Sequence, residues 1–152
     1  MAQSLFAYET YIRTTPEKLW KALTTSELLK RCWMGANIES DWKVDSPWRA
    51  TSENGTVFDS GEIIESIAHR RLVMKWRNEW KPEFKAEGYS CCIYEIEPMG
   101  MAVKFTLTHS IDRPDSKFIA SVTLAWPMVM SNFKSLLETG GVALVENPRH
   151  TH

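Results

Sequence analysis

Three cysteines are too few for a disulfide framework: Cys32 stands alone, and the neighbours Cys91 and Cys92 point to opposite faces of any strand that carries them. A reduced, cytoplasmic protein is the setting this leads us to expect. No run approaches the ~20 apolar residues of a membrane-spanning helix, and the start MAQSLFAYET has neither the basic residues nor the apolar core of a signal peptide. An excess of either charge is missing too, with 18 Lys and Arg against 19 Asp and Glu and a net charge of −1. Neither nucleic acid nor a membrane surface is therefore indicated as a partner. The chain has no GxGxxG or GxxxxGK phosphate loop, no GxSxG nucleophile elbow and no CxxC pair, and its four histidines, His69, His109, His150 and His152, are scattered. No cofactor and no metal are expected, and the two terminal histidines read as mobile surface. Repeats and low-complexity linkers are also missing.

What is there suits one globular domain: 152 residues, 43% hydrophobic and 24% charged. Such a chain buries roughly 70% of its unfolded surface and can build a core without disulfides or metal. Residues Leu5 to Thr14 carry Phe6, Tyr8, Thr10 and Ile12 on one parity and read as a strand. Thr15 as cap and Pro16 at the first helical position then open a helix with an apolar stripe of Leu19, Trp20 and Leu23. Ser26 and Glu27 begin a second short helix that ends at Gly35. Five further strands are expected at Pro47 to Ser52, Thr56 to Ile67, Arg71 to Arg77, Gly88 to Glu97 and Met101 to Ser110, making six in all. The short connections, among them Glu53-Asn54-Gly55 and Pro98-Met99-Gly100, require antiparallel neighbours.

The stretch from Ala125 to Gly141 carries Trp126, Val129, Met130, Phe133, Leu136 and Leu137 at helical spacing and reads as a long amphipathic helix. Pro127 stands near its start, or marks a kink if the helix begins around Phe118 to Val122. Gly140 or Gly141 supplies the left-handed cap, and the residues beyond, 142–152, read as a flexible tail.

The segments YIRTTPEKLWKALTTSELLKRCWMG, GEIIESIAHRRLVMKW, YEIEPMGMAVKFTLTHS and AWPMVMSNFKSLLETGG, in that order, resemble the START-like helix-grip superfamily (SRPBCC). The branch they look like is that of the activator of the heat-shock chaperone ATPase, grouped with polyketide cyclase-like proteins. The likeness spans roughly Phe6 to Gly141 and implies a single α+β helix-grip domain over 1–141. In that fold a curved antiparallel sheet of about six strands wraps a long C-terminal helix, with two short helices after the first strand and an apolar cavity between sheet and helix. Asp45 and Ala125 stand where relatives often place glycine, which bears on loop geometry.

Strand alternation puts Leu72, Met74 and Trp76, then Cys92, Tyr94 and Ile96, then Val103, Phe105, Leu107 and His109 on one face. These face Trp126, Met130 and Phe133 of the long helix, as solid core or as the wall of a cavity. Of seven tryptophans, Trp20 and Trp126 read as core and Trp42 and Trp80 as loop anchors, while Trp33, Trp48 and Trp76 are pocket candidates. The candidate ligand-binding set is thus Trp33, Trp48, Met74, Trp76, Cys92, Tyr94, Phe105, Leu107, His109, Trp126, Met130 and Phe133. Glu62, Glu65, Arg49 and Asp59 are possible polar contacts, although charges alternating along Gly61 to Ile67 usually mark a solvated face.

Three functions follow from the resemblance. One is a binder of a hydrophobic, apolar or aromatic small molecule, in a stress-related role. Another is a protein-interaction module whose partner is a chaperone or a second copy of the chain, as a homodimer. The last is a cyclase- or hydratase-like enzyme that uses His109 or Tyr94 for proton transfer; no catalytic residue is assigned.

Overall fold

The computed structural model describes residues 2–148. The chain runs β1 (Ser4–Ile12), α1 (Pro16–Thr24), α2 (Ser26–Cys32), β2 (Asn37–Ser40), β3 (Pro47–Thr51), β4 (Val57–Ile67), β5 (Arg71–Asn78), α3 (Pro82–Lys85), β6 (Ser90–Met99), β7 (Ala102–Ile111) and α4 (Lys117–Thr139). The strands form one antiparallel sheet in the order β1-β7-β6-β5-β4-β3-β2, so the first strand closes against the last. This is the expected α+β architecture, with α4 packed over one sheet face.

The sheet has seven strands rather than six. The additional one, β2, is four residues long and buries only Ile38, too short for periodicity to reveal. The single-turn helix α3 lies in a segment that reads as a loop between strands.

Of the two starts that the sequence left open for α4, the structure has the earlier one, at Lys117. Ser116 caps it, its hydroxyl accepting from the Ile119 N–H at 3.0 Å, and the Glu87 carboxylate accepts from the Lys117 N–H at 2.9 Å. Pro127 consequently sits in mid-helix, where it removes one backbone donor. The opposite end is as expected, with Gly140 left-handed at φ 88°. Asp45 adopts φ 72°, the left-handed conformation that glycine takes most readily.

The expected inner face is buried throughout: Leu72, Met74, Trp76, Cys92, Tyr94, Val103, Phe105, Leu107 and His109 all pack against Trp126, Met130 and Phe133 or their neighbours. Phe105 meets Phe133 nearly edge-on at 5.9 Å, a favoured aromatic geometry. Asn132, fully buried on α4, donates to the carbonyls of Cys32 and Leu144 and accepts from the Leu144 N–H. One amide therefore ties α2, α4 and the segment after Gly141 together, so the expected loose tail is anchored at Leu144. His150 and His152 lie outside the described residues.

Candidate functional site

At one end of the sheet the inward side chains change from aliphatic to aromatic and polar. Trp76 on β5 is the hub: its ring centroid lies 4.5 Å from Trp48, 5.1 Å from His109, 5.6 Å from Trp126 and 5.8 Å from Trp33. Tyr94 meets Trp126 edge-on at 6.0 Å, and Phe118 closes on His109 at 5.4 Å. These distances are contact distances, so the rings fill the space between sheet and helix. Trp48, Trp76 and Trp126 are buried, whereas Trp33 is only half-buried. Trp33 caps α2 immediately before Met34 (φ 53°) and Gly35 (φ 98°), a left-handed pair that turns the chain away.

His109 is held from both sides. An indole N–H can only donate, so the 3.0 Å contact from Trp126 Nε1 makes His109 Nδ1 an acceptor and puts the ring proton on Nε2. That proton is donated to Ser90 Oγ at 2.7 Å, and the Ser90 hydroxyl donates in turn to the Trp76 carbonyl at 3.2 Å. Burial pushes the imidazole down to about 3, so it stays neutral across the physiological range. No carboxylate orients it, and both nitrogens are occupied. Trp126→Phe keeps the ring but strands Nδ1, and is expected to lower stability by about 2 kcal/mol in a urea titration; an unchanged midpoint would show that the contact is idle.

Burial keeps the thiols of Cys32 and Cys92 and the Tyr94 hydroxyl protonated at neutral pH. Burial raises Cys32 to about 12 and carries Cys92 and Tyr94 well above their ordinary values.

Asp59 behaves differently. It lies on β4 with the parity of Gly61 and Ile63, so its side chain faces inward, and the residue is 8% exposed. The Asn78 amide donates to it at 3.2 Å. Burial drives the carboxyl up to about 7, against the opposing pull of the Trp76 indole and the Asn78 amide and with added repulsion from Glu79. The Trp76 N–H is attracted to this carboxyl yet closes no hydrogen bond with any protein group. Arg49, Glu62 and Glu65 stand elsewhere on the sheet: Arg49 and Glu62 are exposed, and Glu65 pairs with Arg71 at 3.0 Å.

Surface depressions among the described residues include the following two. One of about 480 Å³ lies beside Glu39, Asp41 and Arg49 and touches Trp48; the other, of about 540 Å³, lies beside Arg70, Arg71, Glu95 and Lys104. Neither is lined by Trp76, Trp126 or His109.

Of the sequence-predicted set, Trp33, Trp48, Trp76, Tyr94, His109 and Trp126 come together as one ring cluster. Phe105 and Phe133 continue it through Tyr94, which lies 5.6 Å from Phe105. Met74, Cys92, Leu107 and Met130 join the same core without ring contacts of their own. Trp42 packs against the core, but Trp80 is 65% exposed, with the Lys81 ammonium 5.9 Å from its ring centroid. Ser90, Asn78 and Phe118 were not legible as partners. Ser90 shares the parity of Cys92 and could have been found by that alternation; Asn78 and Phe118 carried no such signal.

Residues 13–138 match the family model described as Activator of Hsp90 ATPase homolog 1-like protein. The chain belongs to this family. No curated protein matches it by sequence. Among solved structures, the family fold recurs in a Mesorhizobium loti protein (TM-score 0.76, 22% identity, 88% of this chain and 96% of that one). It recurs also in the Aha1 dimer of Colwellia psychrerythraea (TM-score 0.73, 20% identity, 90% and 98%). A third relative is an HSP90 activator from Plasmodium falciparum (TM-score 0.72, 23% identity, 88% and 95%). At these identities the likeness speaks for the helix-grip fold. Among the described residues no helix of this family member is long and apolar enough to cross a membrane.

Proposed function

We propose that the protein binds an apolar, ring-containing small molecule between the sheet and α4, in the cluster centred on Trp76. The observation that carries this reading is the unequal burial of the cluster. Three tryptophans are fixed in the core, while Trp33, half-buried just before a left-handed pair, closes the cluster with a ring in contact with both Trp76 and Trp126. A flat apolar ligand fits the place that the Trp33 ring occupies, stacking on the same faces and losing little by the exchange.

Tryptophan fluorescence titrated with biphenyl tests this. Saturable quenching is expected, and Trp33→Ala, which removes the competing ring, is expected to tighten binding about tenfold. No saturation with either protein, each shown to be folded by circular dichroism, refutes the reading.

A protein-docking role is favoured by a different observation: the Trp80 indole is largely exposed at the end of β5, and structural relatives include an Aha1 dimer and an HSP90 activator. Sedimentation velocity of the protein alone and with an Hsp90-type chaperone distinguishes self-association from chaperone binding. The cyclase- or hydratase-like reading draws no support from His109, whose two nitrogens are already engaged.

A further inference from the structure

We infer that Asp59 and the Trp76 indole N–H together form a polar anchor for a hydroxyl group on the bound ring compound. This rests on the proposed ligand chamber and specifies which molecules it selects. Two nearly buried polar groups stand beside the cluster: an indole donor that is drawn towards the Asp59 carboxyl but closes no hydrogen bond with it, and that carboxyl, which accepts from the Asn78 amide at 3.2 Å. Leaving such groups unmatched is unfavourable, and the rest of the chamber does the opposite, since His109, Ser90 and the Trp126 and Trp48 indoles are all paired.

The chemistry of the pair restricts its partner. A cationic ligand suits the carboxyl but sets its own N–H groups against the indole N–H. Once Asp59 is ionised, above about pH 7, a carbonyl or carboxylate suits the indole but faces the Asp59 oxygens. A hydroxyl satisfies both, because its oxygen accepts from Trp76 Nε1 while its proton is donated to Asp59. The indole belongs to the hub ring of the cluster, so an aromatic body lying against Trp76 and Trp126 brings a substituent on its edge to this point. The selected class is therefore a phenol or an aryl alcohol rather than the bare hydrocarbon.

The test, run at pH 8 where Asp59 is ionised, compares 4-phenylphenol with 4-methoxybiphenyl, which keeps the acceptor oxygen and removes the donated proton. The wild-type protein is expected to bind the phenol at least tenfold more tightly. In Trp76→Phe, which retains a ring without the N–H, and in Asp59→Ala, the ratio of the two affinities is expected to fall towards one, whatever the individual affinities become. Should one variant fail to fold, the ratio in the other decides. A wild-type ratio near one with both probes saturating overturns the hydroxyl anchor and leaves the apolar chamber standing. A ratio that persists in both variants also overturns it, as expected if water alone satisfies the two groups. Failure of both probes to bind removes the chamber, and the anchor with it.

Discussion

Replacing Asp59 by asparagine is expected to change how stability varies with pH, by as much as roughly 4 kcal/mol between pH 4 and pH 8. The folded carboxyl takes up its proton at about 7 against an ordinary value of 3.8. Between those values the folded protein holds a proton that the unfolded chain has released. Asp59 thus favours folding in acid, and this contribution is lost as pH rises from about 4 through 7. His109 acts in the opposite sense: its folded value is about 3 against 6.5, so the unfolded chain gains a proton first and stability falls on acidification through that window. In the wild-type protein the two slopes, each about 1.4 kcal/mol per pH unit at most, oppose one another between pH 4 and 6.5. Asp59→Asn removes one of them. Urea midpoints measured from pH 4 to 8 are expected to show the variant gaining on the wild type as pH rises, and then holding a constant lead above pH 7.5. Parallel curves would mean that the carboxyl ionises as an ordinary surface group.

Gly61→Ala is expected to cost about 3 kcal/mol or more, because the added methyl has no room. A Cβ at Gly61 falls 1.6 Å from the Lys75 carbonyl oxygen and 2.7 Å from Trp48 Nε1. The same space is crossed by the hydrogen bond from the Trp48 indole to the Lys75 carbonyl, 2.8 Å long. A backbone oxygen cannot swing aside as a flexible side chain does, so relief requires β4 and β5 to part or Trp48 to leave the cluster. Gly141→Ala supplies the control, since nothing lies within 4 Å of its Cβ position and its φ is not left-handed. Thermal unfolding should separate the two variants clearly; equal melting temperatures would show that the β4–β5 contact is looser than the geometry indicates.

Gly61 also shows how far the sequence could be read. Its place in a strand was legible, and so was the resemblance of GEIIESIAHRRLVMKW to the family. Why glycine stands there was not, because the constraint comes from Trp48 and Lys75, separated by 27 residues along the chain. The inner-face residues of β5, β6 and β7 were recovered by alternation alone, since a strand that buries one face must repeat every second residue. The strand β2 escaped, and the choice between the two possible starts of α4 stayed open, for the complementary reason. Four residues carry no measurable period, and the cap that starts α4 draws on Glu87, 29 residues upstream of Ser116.

Local order and periodicity therefore determined the class of fold, the order of its elements, the family resemblance and which faces are buried. Only the tertiary structure decided that His109 is neutral and fully engaged, that Asp59 turns its carboxyl into the interior, and that the Trp76 N–H is left beside it without a partner. The physical reason is that burial follows from each segment's own pattern of apolar side chains, whereas protonation and hydrogen bonding depend on which groups from distant segments meet inside the fold.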